Sequence, residues 1–270
     1  TSLALVSGAL MLLIEAMYLL HQGLWLLPSP LFDPGRRRRQ ADQLQAEPLL
    51  PPASVEFWVR TEDQEERLVR RALIACRHVD HPDVRVAVLD AAGRPEVQEI
   101  ARSLDMRYVA LPPECRHGQA FAPLLAAALP ECQTELVALF DCRFMPFASF
   151  LKRTLGFFGD ARVAMVQTPL THFRSEFYNR NLGADQVMPG ERDLFFHYSE
   201  VVLDRFNSVQ ACGGSSVIRR RSLEQMLADR ADAARESTAV AALQRRGDKV
   251  VYLDEILSIG EAPHSFAAFL

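Results

Sequence analysis

Leu136-Val137-Ala138-Leu139-Phe140-Asp141-Cys142-Arg143 is the stretch on which the reading of this chain turns. The unbroken apolar run from Leu136 to Phe140 predicts a buried strand. That strand delivers Asp141 at its carboxyl end, where open α/β sheets bind ligands. Arg143 follows two residues later, so one strand end carries a carboxylate and a guanidinium together.

Outward from this strand, short β runs and helical stretches alternate. Val55 to Val59 predicts a strand and Gln64 to Cys76 a helix; Val84 to Leu89 is a β-branched apolar strand ending at Asp90. Pro95 to Leu104 starts with a proline suited to a helix N-terminus. Met106 to Ala110 reads as a strand, Gln119 to Leu129 as a helix, Phe147 to Phe158 as a helix and Val163 to Gln167 as a strand. Alternation of this kind implies right-handed crossovers and a mostly parallel sheet, hence an α/β fold. After Gln167 the pattern loosens. An amphipathic stretch covers residues 193–206, Cys212 to Ser216 reads as a glycine loop, Glu236 to Arg246 as a helix and Val250 to Leu253 as a last strand.

The chain has 270 residues, 49% of them hydrophobic, which is enough for one large core. A net charge of -4 gives no reason to expect nucleic acid. The five cysteines are scattered and without C-x-x-C spacing, which suits a reducing compartment rather than a disulfide framework or zinc site. The first residue is Thr1, so a piece of a longer polypeptide is expected. Leu3 to Leu27 is almost wholly apolar and long enough to span a bilayer as a helix. Arg36-Arg37-Arg38-Arg39 follows, and basic residues beside a span stay on the cytoplasmic side. Residues 1–30 are therefore expected to be a transmembrane helix, 31–54 a basic, proline-bearing linker and 55–270 a cytosolic domain. A buried or interfacial helix is the competing reading, with Glu15 as its argument.

Several stretches, in order, carry a resemblance. They are Val88-Leu89-Asp90 with Gly93-Arg94-Pro95-Glu96; Arg116-His117; Phe140-Asp141 with Pro146 and Phe150 to Thr154; Val166 to Pro169; Asn179 to Leu182; Cys212-Gly213 before Arg219-Arg220-Arg221; and Arg246-Gly247. Over residues 50–270 the chain resembles the membrane-bound family 2 glycosyltransferases, in particular bacterial cellulose synthase catalytic subunits. The resemblance implies a GT-A fold at the bacterial inner membrane, transfer of a hexose from a UDP-sugar onto a β-glycan with inversion, polysaccharide-synthase partner subunits, and Mg or Mn in an intact member.

Motif by motif, the resemblance also implies erosion. The family's D-D-G reads Asp90-Ala91-Ala92 here, leaving one carboxylate for the nucleotide; an isolated strand-end Asp would read as a cap or turn residue, and within this ordered set the two readings of Asp90 stand even. H-A-K-A-G-N reads His117-Gly118-Gln119-Ala120-Phe121-Ala122, so Gln119 replaces the lysine that reaches the phosphates and supplies a hydrogen bond without charge. D-x-D reads Asp141-Cys142-Arg143. Arg143 repels a divalent ion, and either the metal site is lost or the guanidinium replaces the metal on phosphate. T-E-D falls on Ala234-Arg235-Glu236, making Glu236 the candidate base that deprotonates the acceptor hydroxyl; a register shifted by one would put Ser237 there. The acceptor loop corresponds to Gln210 to Ser215, with Cys212, Gly213 and Gly214 kept and two aromatics missing, beside Gln167, Thr168 and Pro169. Ala262 to Phe266 resembles the stretch before Q-x-x-R-W, and the chain stops at Leu270.

The resulting expectation is a glycosyltransferase-like module with lost or weakened catalysis and no bound metal, serving exopolysaccharide synthesis as scaffold or regulator. The rivals are a metal-independent transferase using Arg143 and Glu236, and a nucleotide-sugar sensor needing Asp90 and Asp141 but no base. Asp90 and Asp141 are expected to converge on one cleft.

Overall fold

The computed structural model describes residues 2–26, 32–46, 53–111, 121–173, 195–211, 213–228 and 236–261. His117, Gln119 and Cys212, together with Arg116, 179–182 and 262–266, lie outside them.

A seven-stranded sheet organises the chain from Pro34 onward, in the order β3-β2-β1-β4-β8-β6-β9. Its strands are β1 (Val55–Thr61), β2 (Val84–Asp90), β3 (Arg107–Ala110), β4 (Leu136–Asp141), β6 (Val163–Gln167), β8 (Ser215–Arg219) and β9 (Lys249–Tyr252). β8 runs antiparallel between β4 and β6, and the other ladders are parallel. The fold is therefore α/β with a mostly parallel sheet. A small second sheet joins β5 (Phe144–Pro146), β10 (Ser258–Gly260) and β7 (Thr171–His172).

The strands form where they do because both faces of the sheet are covered. β1, β4 and β6 are buried almost end to end, which is why their sequences read as continuous apolar runs. Helix α3 (Glu66–Arg77) buries Val69, Ala72, Leu73 and Cys76 on one stripe, the 3.6-residue spacing of a helix packed on a sheet. Phe57, Phe140 and Phe150 lock β1, β4 and helix α6 (Phe150–Thr154) together, with ring centroids 5.0 to 6.1 Å apart. Helices α4 (Pro95–Ser103) and α5 (Phe121–Ala128) complete the first half. The helix expected over Phe147 to Phe158 is shorter: α6 gives way to a 3₁₀ turn, Leu155–Gly159, where two glycines weaken the helix. The amphipathic 193–206 stretch is helical from Phe195 but irregular, with π, α and 3₁₀ turns in succession.

Of the expectations about the N-terminal part, the membrane span is unconfirmed and the linker needs correction. Ser2–Leu26 is one helix, α1, in a unit, Thr1–Asp33, separate from Pro34–Leu270. Leu10 to Ile14 and Met17 to Leu20 are exposed along it. Among the described residues, however, no helix is long and apolar enough to cross a membrane, so the expected span is not confirmed. The stretch expected to be linker forms helix α2, Arg36–Ala46, which belongs with the domain. Arg36 and Arg37 both pair with Asp204, and Arg38 pairs with Asp254. Ala41 is buried, and Leu44 lies on Gly156, where an added Cβ would come within 2.6 Å of the Leu44 Cβ. The arginines that sequence composition assigns to a membrane flank thus dock a helix onto the core.

Candidate functional site

Asp141 ends β4 beside β1, and Arg143 reaches back to it. The Arg143 Nε and backbone N–H both donate to Asp141 Oδ1 at 2.9 Å, and Nη2 donates to Oδ2 at 3.0 Å. Burial pushes the Asp141 carboxyl up, but the hydrogen bonds and charge of Arg143, helped by Arg60, hold it below its ordinary value. Arg143 is raised in turn, chiefly by its bond to Asp141. Three acceptor positions of a carboxylate that offers about four are thus taken. Among the described residues, no group of three or more His, Cys, Asp or Glu could hold a metal ion. The residues present do not fit a divalent cation at Asp141. Cys142, buried beside it, is a free thiol pushed up to about 12 by burial, then by the charge of Asp141.

The loop before β8 closes on the same strand end. Gly214 has φ +93, and a Cβ there would meet the Asp141 Cβ at 3.0 Å; the Asp141 N–H donates to the Gly214 carbonyl at 3.4 Å. Only glycine takes that backbone conformation against that neighbour without strain. A Cβ on Gly213 would lie 3.8 Å from Glu236 Oε2. Glu236 begins helix α7 (Glu236–Arg245), and Arg60 Nη2 lies 3.4 Å from its Oε2. Among the described residues, Glu236 Oε1 and Arg60 Nε are buried without a hydrogen-bond partner. Arg60 also stacks over Phe121, 5.1 Å from the ring centroid. Arg60, Phe121, Gln64, Asp141 and Arg143 line a cavity of about 140 Å³. One water needs about 10–15 Å³ of such space, so the cavity holds several waters or a phosphate-sized group.

Gln167, Thr168 and Pro169 are buried and serve the loop as supports. Thr168 donates its backbone N–H to the Ser215 carbonyl at 3.1 Å, and its hydroxyl meets the Ser215 hydroxyl at 2.7 Å. Gln167 Nε2 donates to the Gln210 carbonyl at 3.0 Å, while the Gln210 N–H donates to Glu200 Oε2 at 2.9 Å. Glu200 is fully buried, its Oε1 has no partner among the described residues, and burial, then the charge of Asp204, pushes its carboxyl up to about 7 against the Gln210 bond.

Asp90 does not join this group. It is fully buried and accepts the Ala92 N–H at 3.1 Å, the Arg94 N–H at 2.6 Å and the Tyr108 hydroxyl at 3.1 Å. The register explains the separation. Thr61 stands opposite Asp90 and Arg60 opposite Asp141, so the pleat of β1 sends the two carboxylates to opposite faces. The expected convergence is therefore not met, and Asp90 caps the turn into α4. Arg219, in the matched arginine triplet, is likewise structural: it is buried in β8 and donates to the Val163 carbonyl at 2.8 Å. Arg60 is the residue that sequence reading missed. Its one signal was a cation closing an apolar strand, and its pairing with Glu236, 176 positions away, is a tertiary fact.

No protein-family model matches this chain. Among curated proteins, the cellulose synthase catalytic subunit (UDP-forming) of Xanthomonas axonopodis pv. citri (strain 306) is 30% identical over 218 residues, covering 79% of this chain and 30% of that protein. The corresponding subunit of Pseudomonas fluorescens (strain SBW25) is 30% identical over 234 residues, covering 85% and 31%. The chain thus spans about a third of the length of these relatives. Among solved structures, mannosyltransferase PcManGT from Pyrobaculum calidifontis, in complex with GDP-Man and Mn²⁺, superposes with a TM-score of 0.57 at 16% identity, covering 86% of this chain and 66% of that one. S. aureus TarS gives 0.53 at 14% identity, covering 78% and 37%. At such identities the structural matches establish a shared GT-A fold.

Proposed function

From a chain that belongs to the cellulose-synthase-like family 2 glycosyltransferases, we propose a module of β-glycan synthesis whose own catalysis is lost or severely weakened. It acts as a scaffold or regulator beside active polysaccharide-synthase subunits at the bacterial inner membrane. The observation that carries this reading is the Asp141–Arg143 pair. PcManGT, which shares the fold, was solved with Mn²⁺. Here the strand-end carboxylate that would meet such an ion is bound on both oxygens by a guanidinium of the same chain. Asp90, spent on its own turn, weakens the nucleotide grip further. The apolar run from Leu3 to Leu27 supports a membrane anchor on composition; Arg36, Arg37 and Arg38, paired within the domain, no longer support its orientation.

A second reading, a metal-independent UDP-hexose transferase, is favoured by one observation: Glu236 keeps an oxygen without a partner among the described residues, beside Arg60 and Gly213, as a general base requires. Arg60 and Arg143 would then meet the diphosphate directly. Calorimetric UDP titration with and without Mg²⁺, paired with a turnover assay on UDP-sugar, separates the readings. The scaffold reading expects no binding. Metal-free binding with turnover would replace it by the enzyme, and binding without turnover by a nucleotide-sugar sensor.

A further inference from the structure

A second charged cavity lies at the other end of the sheet. β4, β6 and β9 run in the same direction; Asp141 closes β4, whereas Val163 and Lys249 open β6 and β9. Val163 and Lys249 line a cavity of about 370 Å³, between α2, the turn after α6, the 195–206 segment and β9. Its charged walls are Arg36, Arg37, Arg205 and Lys249 against Asp160 and Asp204. Four cations face two carboxylates, a surplus of two positive charges.

The carboxylates are already committed. Asp204 is shared by Arg36 and Arg37, with Arg37 Nε at 2.7 Å and Nη2 at 3.0 Å, and it also accepts the Tyr252 N–H at 2.9 Å. Asp160 is held by Lys249 at 2.7 Å and by Arg162 at 3.4 Å. Arg205 is exposed and makes no hydrogen bond or ion pair with the described residues. Burial, together with the neighbouring charges of Arg37 and Arg205, holds the Arg36 guanidinium below its ordinary value despite Asp204. Docking of α2 accounts for Asp204 and its two arginines. It leaves Arg205, the surplus charge and the open space without a purpose.

We propose that this cavity binds a phosphate monoester dianion, gripped by Arg205, Arg36 and Lys249. Arginine forks match phosphate oxygens, and a dianion cancels the surplus of two. Bound there, the phosphate ties α2 to the core. A lipid headgroup and a soluble phosphate compound share this chemistry.

The test uses the full chain in neutral detergent micelles at low ionic strength, titrated calorimetrically with inorganic phosphate and, separately, with dihexanoyl phosphatidic acid. Removing one charged contact weakens binding by about tenfold. The expected result is binding of at least one probe that Arg205→Ala weakens by that factor, that added salt weakens too, and that Arg143→Ala leaves unchanged. Preference for phosphatidic acid identifies a headgroup, and preference for free phosphate a soluble ligand. Arg205→Ala touches no described partner, so its fold is expected intact by circular dichroism; Lys249→Gln removes a second charge independently. Binding of neither probe overturns the proposal. So does binding that survives both variants, or binding that Arg143→Ala abolishes.

Discussion

Residue by residue, the site is governed by which carboxylates are free. Asp141 is held below its ordinary value by Arg143. A lowered carboxylate contributes stability that is fully present above its unfolded pKa and is lost as pH falls through the folded one. Replacement Arg143→Gln is therefore expected to cost about 1 kcal/mol at pH 6, allowing for the half-exposed guanidinium. The difference from the parent should shrink toward pH 2, as read by urea unfolding across that range; a pH-independent difference would refute it. Glu200 works in the opposite sense. Its carboxyl is raised from 4.5 to about 7, so the folded state holds a proton that the unfolded state has released. Stability should fall as pH rises from about 4.5 to about 7 and level off above. Glu200→Gln removes that slope, and the variant should gain on the order of 3 kcal/mol over the parent at pH 8; parallel unfolding curves from pH 5 to pH 8 would count against it. Of these residues, Arg143 was legible because two positions along a strand end are close whatever the fold. Glu200 was not, because its burial and its bond to Gln210 depend on how an irregular helical segment packs.

Among the elements, α2 and the loop before β8 show what composition hides. Four consecutive arginines announce charge but not its partner, and the partner of Arg36 is 168 positions away. Asp204→Ala leaves two arginines beside an uncompensated site and should cost about 3 kcal/mol, the usual penalty for breaking a buried pair. Limited trypsin digestion reads the consequence: cleavage within Arg36 to Arg39 should quicken in the variant, and an unchanged rate would mean that α2 is held otherwise. The glycine loop is the second case. Cys212 to Ser216 reads as a turn, yet Ser215 and Ser216 already belong to β8, whose antiparallel pairing with β4 and β6 sequence alternation did not signal. Gly214→Ala forces a side chain into positive φ against Asp141 and should cost about 1–3 kcal/mol in a thermal or denaturant melt. A neutral melt would show that the loop can move. The parallel strands before Gln167 were legible because buried strands read as apolar runs between helices; β8 starts with two serines and ends with an arginine.

At the scale of the whole molecule, the alternating pattern and ordered motifs identified the GT-A module, and sequence comparison with cellulose synthase catalytic subunits supports the same assignment. The carboxyl end of the sheet was harder to read. Motif matching put Asp90 and Asp141 together, while strand register and local pairing keep them apart. On the proposed reading, Arg143 stands where a divalent ion would bridge the diphosphate. Unit charges about 4 Å apart at an effective dielectric near 20 interact by roughly 4 kcal/mol, and a divalent ion feels more. Calorimetric titration of the full chain with Mn²⁺ in the presence of UDP tests this most directly. No Mn²⁺-dependent heat is expected from the parent and a measurable one from Arg143→Asp; tight Mn²⁺·UDP binding by the parent, abolished by Asp141→Ala, would contradict this reading of Arg143.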